Sequence, residues 1–551
     1  MREQSLVAGA LMRAGRHRRV MRAARYITIE AAIPVGAFVA ALLLYLATLA
    51  PSITQANGTS DSGELASAAY TLGIAHPTGY PLYTLAGFVV THLGRDEPAR
   101  LLNIFSAVMG ALCVGLVTLI GVTVARRARP GANGALVAAA TLGATAALAL
   151  CPFFWTEATV TETRTLALAL DATVLALLTV PARLGRRAAM IASLLYGLAL
   201  CDHLLSLYLA PAVVLLVGPW AGRRVRHWLL LAALFAVGLT PYLYLPLRAA
   251  MNPAADWGQP DTLARILWVV SGAEYRYLMG GLDAAALATR ISDMIGLIAG
   301  QVPWPALAAG ALGEGALLAA AGTRRLGAAL ALTVVTDVVL TSAYQASAAP
   351  TYLLLGLLCL SVAGAAGWLV AAGAGARLLA RARLTAPVAT AAMLLVVVAV
   401  ANEVESVASA RVAVDLARST AARDDGIAAL RRLPRGAIIF AEGGETVFPL
   451  WYAQRGLGVR PDVTIVVAAL LNFAWYDQQM RALPAFDAGK LPPADPTDDP
   501  TSEVGIGPQR EAALAAAAPG HPVYLVAPTP ALDGVCSQIF QLARGAYACI
   551  P

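Results

Sequence analysis

The sequence predicts a polytopic α-helical membrane protein of about eleven transmembrane helices, followed by a small C-terminal α/β soluble domain. Three observations lead there. The 551 residues are 58% hydrophobic and 13% charged, with a mean hydropathy of +0.67, whereas soluble domains carry about 25% charged residues. Leu101 to Val124 and Thr351 to Gly373 are uncharged apolar runs, each of about the 20 residues a span requires. Six short segments between apolar runs hold 21 Arg and one acid, Glu3, while the connections between them are mixed or acidic. That alternation is the positive-inside pattern, and it assigns the six segments to the cytoplasm. It also makes nucleic-acid binding a poor reading of the net charge of +7.

With the Arg clusters as cytoplasmic markers, the spans fall at about 31–50, 101–124, 134–152, 165–182, 188–201, 204–219, 228–247, 303–321, 326–342, 351–373 and 385–401. A basic segment, 1–30, precedes them on the cytoplasmic side. It lacks a cleavage-like pattern and reads as part of an uncleaved anchor. The transmembrane domain then covers 31–401, with two long external loops at 51–100 and 248–302. Gly79 to Leu93 is apolar, but as a span it would turn Arg126, Arg127 and Arg129 outward. It is therefore expected to lie along the outer surface. Residues 188–219 leave and return as two short helices that meet near Asp202 and His203.

From Asn402 the composition becomes that of a soluble domain, with 12 basic and 16 acidic residues over 402–551. Ala437 to Phe440, Val463 to Val467 and Pro522 to Val526 read as short buried strands, and 484–507, rich in Pro and Asp, reads as an irregular loop. The topology places this domain outside the membrane, with the N-terminus in the cytoplasm. Cys536 and Cys549 would then be positioned to pair, or to remain two free thiols.

The chemistry concentrates in the external loops. Just past the first span, Asp61-Ser62-Gly63-Glu64 precedes His76-Pro77-Thr78-Gly79-Tyr80-Pro81. Carboxylates so close to hydrocarbon carry a solvation cost and mark a candidate site. Other loops offer Glu157, Glu162 and Arg164, then Asp202 and His203. The seventh span ends in Tyr244 and Arg248, and the second long loop holds Trp257, Tyr275 and Arg276. Such a set suits glycosyl transfer from a lipid-phosphate sugar. A carboxylate takes the proton of an attacking hydroxyl, and a guanidinium holds the departing phosphate. Arg248, with His203, is the expected phosphate site.

Taken in order, these pieces resemble membrane glycosyltransferases of the GT-C superfamily. They are most similar to bacterial relatives of the animal enzyme that O-mannosylates plexin IPT domains, a family long catalogued as a domain of unknown function. Further matching pieces are Tyr242 to Arg248, Asn252-Pro253, Trp257-Gly258, Glu274-Tyr275-Arg276, Pro449-Leu450-Trp451-Tyr452, Gly458 to Val463, Leu471-Asn472 and Trp475-Tyr476. Thr78, where the family has Pro, and Gly443-Gly444-Glu445 depart from its pattern. The resemblance implies Asp61 as base with Glu64 in support, and His76, Tyr80, Glu157, Glu162, Arg164, Asp202, Tyr244, Trp257, Tyr275 and Arg276 in substrate-binding or supporting roles. It implies a polyprenyl-phosphate hexose, mannose by preference, as donor, and Ser or Thr of an exported protein as acceptor, reached with inversion at the bacterial inner membrane. It implies no cofactor and no bound metal.

Blander readings stand beside these. Asp61 and Glu64 form a capping pair for a helix over Ser62 to Thr71, and His76 or His203 simply satisfies nearby backbone. Arg248 anchors the seventh span at the headgroups. Asp171, Glu314 and Asp337, within or near spans, seed a rival reading as a transporter or flippase of lipid-linked sugars, although no internal repeat of the transporter kind is visible. Two other readings are a membrane anchor that displays the C-terminal domain, and an enzyme acting on a cell-wall glycan or lipid.

Overall fold

The computed structural model describes residues 32–56, 61–180, 185–346, 349–381, 411–492, 507–527, 538–543 and 546–550. The basic segment 1–30, the expected span at 385–401, Cys536 and the side chain of Cys549 lie outside them, as do residues 493–506 of the expected irregular loop.

Apolar composition and membrane length produce a helical bundle. Its first helices are α1 (Ala32–Ala47), α2 (Ser62–Thr71), α3 (Pro81–Leu93), α4 (Pro98–Ala128) and α5 (Gly134–Ala149). Pro opens α3 and α4 at their first turns, where its missing N–H has no intrahelical partner to lose. Helix α3 has 13 residues, roughly 20 Å at 1.5 Å per residue, too short for a hydrocarbon core of about 30 Å. The chain continues through α6 (Pro152–Glu157), α7 (Arg164–Thr179), α8 (Arg186–Leu200), α9 (Ala210–Ala221), α10 (Val225–Gly238) and α11 (Tyr244–Ala249). It then forms α12 (Leu263–Val270), α13 (Ala284–Gln301), α14 (Trp304–Ala319), α15 (Arg324–Ala343) and α16 (Leu354–Arg381).

Each of the first ten expected spans has a helix in its place, broken in two at the seventh. Among the described residues, four helices are long and apolar enough to cross a membrane, and six if two bent pairs each count as one span. Eleven spans therefore remain an expectation. The second long loop differs from its expected form, because it contains the 18-residue helix α13, which meets α14 at 117°.

Two close helix contacts set the bundle's geometry. A Cβ built on Gly367 of α16 would overlap the Ala309 carbonyl of α14, and one on Gly313 of α14 would overlap the Ala363 carbonyl. Small residues that let backbones touch are how membrane helices gain packing without a hydrophobic drive.

Beyond the bundle lie α17 (Ala421–Arg432), α18 (Gly444–Trp451), α19 (Ala474–Arg481) and α20 (Gly507–Ala516), around a five-stranded mixed sheet. The strands are β1 (Ile438–Ala441), β2 (Thr464–Val467), β3 (Val523–Ala527), β4 (Gln538–Ala543) and β5 (Ala546–Ile550), in the order β2-β1-β3-β5-β4. β1 pairs in parallel with β2 and β3, with Ile439 opposite Ile465 and Tyr524, while β5 pairs antiparallel with β3 and β4. All four β1 residues are buried, as a central parallel strand requires.

The sheet is not a separate body hung on the bundle. Ile438, Phe440 and Trp475 share one apolar core with Ile74, Tyr244, Leu245 and Trp268 from the two long loops. Helix α18 also sits on α2. A Cβ at Gly63 would stand 2.6 Å from the Phe448 carbonyl oxygen, so only glycine permits this approach.

Gly367→Ala is expected to destabilise the chain by roughly 1–3 kcal/mol through overpacking, seen as a lower Tm in detergent. Gly296→Ala, where a Cβ meets nothing within 4 Å, should hold or slightly raise it through helix propensity. Equal Tm values for the two variants would contradict the backbone contact.

Candidate active site

The site begins where the chain leaves α1. Asp61 occupies the N-cap position of α2, but its side chain makes no capping hydrogen bond. Glu64 does not complete a capping box either. Its Oε1 accepts the His76 backbone N–H at 2.8 Å, and its Oε2 lies 2.8 Å from His76 Nδ1. The acidic turn and the His-Pro-Thr-Gly turn are thus one unit. Gly79, at φ +83°, closes that turn with its N–H on the His76 carbonyl at 2.7 Å. Tyr80 then returns its hydroxyl to His76 Nε2 at 3.1 Å.

Burial pulls the His76 imidazole down, but the charge and hydrogen bond of Glu64 outweigh it. Asp61 and Glu274 act in the same direction as Glu64, and the group is raised to about 9. His76 is therefore an imidazolium at neutral pH, buried against its carboxylate.

A second buried ion group faces the first. Arg164, at the start of α7, lies 2.9 Å from Glu157 and 3.2 Å from Glu162. The Glu157 contact is an ion pair by distance but out of line for a hydrogen bond. Burial raises Glu162 to about 8, more than Arg164 lowers it, with Glu157 and Asp61 adding to the rise. Asn103 ties this loop to the first one. It donates to the Ala50 and Ser52 carbonyls at 2.7 and 3.0 Å and accepts from Thr161 at 2.6 Å.

Asp202 and His203 arrive from the break between α8 and α9, and Cys201 beside them accepts the Leu82 N–H at 3.1 Å. Both residues are buried. His203 Nδ1 accepts the Leu205 N–H at 2.9 Å, which places the proton of a neutral ring on Nε2. Burial, then the charges of Arg164 and His76, push His203 down to about 3. It is a neutral donor, set between the rings of Tyr80 and Tyr352 at 5.8 and 5.4 Å.

The second long loop joins through backbone. The Ile74 N–H donates to the Ala255 carbonyl at 2.6 Å and the Trp257 N–H to the Ile74 carbonyl at 3.2 Å. Trp257 and Tyr275 meet the His76 ring at 6.0 and 6.3 Å, and Trp257 Nε1 donates to Glu274 at 2.8 Å. Arg276 is exposed.

Arg248 is the correction. Its Nε donates to the Leu72 carbonyl at 2.7 Å and Nη2 to that of Thr71 at 3.5 Å, while the Tyr244 hydroxyl donates to the neighbouring Gly73 carbonyl at 2.8 Å. Both residues cap the C-terminal end of α2. Asp61 stands at its N-terminal end, ten residues away and roughly 15 Å along the axis. The free carbonyls of a helix end attract a guanidinium, and that demand holds Arg248 there. Two of the three acids within or near spans are held locally: Asp171 accepts from Ser206 at 2.9 Å, and Asp337 from Thr341 at 3.2 Å and from the Gly356 N–H at 2.5 Å, whereas Glu314 Oε1 is buried without a hydrogen-bond partner among the described residues.

Of the remaining candidates, His76, Tyr80, His203, Trp257 and Tyr275 come together with Tyr352, from four different connections, and the charge of half-buried Asp61 adds to the rise of His76 and Glu162. Among the described residues, no three His, Cys, Asp or Glu side chains are grouped to hold a metal ion. Sequence reasoning missed Tyr352, which stands 5.9 Å from the Arg164 guanidinium and was counted as part of an apolar span. Trp451, quoted only as part of a motif, meets Trp257 edge-on at 6.1 Å. Arg455 was missed too, and its four-residue spacing from Trp451 was the available signal. A carboxylate, an imidazolium, a neutral N–H donor and aromatic faces brought close together are groups that can move a proton, steady a developing anion and stack on a sugar ring.

Because His76 sits near 9 when folded and near 6.5 as an ordinary imidazole, its contribution is complete below pH 6.5 and lost as pH rises through 9. The wild-type Tm should therefore fall between pH 6.5 and 9, by the equivalent of up to about 3 kcal/mol, and His76→Gln should flatten that slope. A wild-type Tm constant over that interval would contradict the pair.

Residues 61–219 match a family model described as the protein O-mannosyl-transferase TMEM260 N-terminal domain, and residues 422–498 match TMEM260-associated domain 2. Over 257 residues the chain is 29% identical to protein O-mannosyl-transferase TMEM260 of Mus musculus, covering 44% of this chain and 34% of that protein. Over 56 residues it is 38% identical to the Dictyostelium discoideum protein of that name, covering 10% of this chain and 6% of that one. The chain thus matches about a third or less of the length of these relatives. The crystal structure of ArnT from Cupriavidus metallidurans bound to undecaprenyl phosphate superposes with a TM-score of 0.56 at 15% identity, over 94% of this chain and 97% of that one. Asp61 to His203 fall in the first matched stretch, and Trp451 and Arg455 in the second. The chain is a multi-pass membrane protein with the GT-C fold it shares with ArnT, and it is similar to the protein O-mannosyl-transferase TMEM260 in the two stretches that carry these residues.

Proposed function

We propose that this protein is a membrane glycosyltransferase that moves a hexose from a polyprenyl-phosphate donor to a hydroxyl acceptor on the external face of a bacterial inner membrane. One observation carries the reading. Side chains from four separate connections meet ring to ring: His76 with Trp257 and Tyr275 at 6.0 and 6.3 Å, and His203 with Tyr80 and Tyr352 at 5.8 and 5.4 Å. Similarity to TMEM260 favours mannose and a protein Ser or Thr. The fold shared with ArnT, solved with undecaprenyl phosphate, favours a lipid-phosphate donor.

In this reading the acceptor oxygen attacks the anomeric carbon as Asp61 takes its proton. The bond from that carbon to the phosphate oxygen breaks, its electron pair stays on the phosphate, and the single displacement inverts the centre. His203 Nε2–H is buried and already oriented, as a donor to a developing anion is most effective, and the His76 imidazolium, its ring nitrogens held by Glu64 and the Tyr80 hydroxyl, adds positive charge. Glu64 holds His76 in place and is a positioning residue. Trp257 and Tyr275 offer faces for the sugar ring. The donor tail stays in the bilayer, so the site need enclose only the headgroup.

Asp61→Asn should lower transfer from a polyprenyl-phosphate sugar to a peptide or glycan hydroxyl by roughly 10²- to 10⁴-fold, while leaving the chain folded. Transfer at the wild-type rate would remove Asp61 as the base.

A further inference from the structure

The leaving phosphate needs a cation, and most basic groups around the cluster are already committed. Arg164 lies between Glu157 and Glu162, Arg248 caps α2, His76 is bound to Glu64, and His203 is neutral. Arg423 pairs with Glu97 at 3.1 Å and with Asp424 at 2.9 Å. Arg455 differs. Its guanidinium lies over the Trp451 ring at 4.2 Å, and its Nη1 is buried with no hydrogen-bond partner among the described residues.

The setting of Arg455 is built. It lies on the π-helical turn Tyr452–Gly456, which follows α18 directly, and such turns re-aim side chains within a helix. The Tyr452 hydroxyl donates to Glu97 at 2.7 Å and accepts the Ala99 N–H at 3.1 Å, so the turn is fixed to the start of α4. Gln55 donates to the Glu445 carbonyl, and Gly63 admits Phe448 against α2. From Trp451 the contacts run to Trp257 and on to His76. Glu64 is near enough for its charge to act on Arg455, whose guanidinium burial pulls down to about 10, still a cation at neutral pH. A buried guanidinium N–H without an acceptor is costly, and an anion that accepts from it removes that cost.

We propose that Arg455, contributed by the C-terminal region, binds the phosphate of the lipid-linked donor, with Nη1 donating to a non-bridging oxygen as the sugar–phosphate bond breaks. This rests on the reading of the site as a lipid-phosphate glycosyltransferase. It makes the C-terminal region part of the donor site, and it assigns to Arg455 the role the sequence suggested for Arg248.

The test uses the full chain in lipid nanodiscs, with undecaprenyl phosphate and the uncharged undecaprenol as probes. Wild type should bind the phosphate at least about tenfold more tightly than the alcohol. Arg455→Gln should bring the two affinities together at unchanged Tm, and Arg455→Lys should keep part of the difference, since an ammonium keeps the charge but loses the planar fork. Asp61→Asn should keep the full preference. Full preference in Arg455→Gln overturns the assignment while leaving the glycosyltransferase reading in place. No preference in wild type overturns that reading, and Arg455 with it. If Arg455→Gln shows no folded transition, Arg455→Lys decides: several-fold weaker phosphate binding supports the assignment, and unchanged binding overturns it.

Discussion

Glu64 is 2% exposed, and a carboxylate so placed is tolerable only because His76 satisfies both of its oxygens. That pair joins the acidic turn to the turn that starts α3, and so fixes where Asp61 and Tyr80 stand relative to each other. The Ile74–Ala255 and Trp257–Ile74 backbone bonds then attach the second long loop to the same turn.

The second constraint is the contact between Gly63 and Phe448. It puts α18 and its π turn against the helix that presents the acids, and the core shared by Ile74, Trp268, Ile438 and Trp475 holds them there. The sheet therefore packs as part of the same body as the loops of the bundle.

Much of this was legible. The periodic runs of apolar residues and the Arg clusters located a helix for each of the first ten expected spans, and three strands lie within a residue or two of their expected positions. The acidic motif, His76, Tyr80, Glu157, Glu162, Arg164 and His203 were read as one set because each sits in a connection on one side of the bundle. Arg248 misled because sequence gives the side of the membrane but not the end of a helix, and α2 has two ends with opposite demands. Tyr352 was hidden by its apolar neighbours. Arg455 was hidden by distance along the chain, since no local pattern says which membrane loop a distant turn will cover. Helix α13 was missed because its run carries Arg290 and Asp293, which break an apolar reading without breaking a helix.

The central claim is that the lipid phosphate binds at the Asp61 end of α2, under the C-terminal turn. The most direct measurement is a cryo-EM map of the chain in nanodiscs with undecaprenyl phosphate. The account predicts phosphate density within hydrogen-bond reach of the Arg455 guanidinium and on the same side of α2 as Asp61. Density beside Arg248 at the Leu72 end, or away from both, would contradict it.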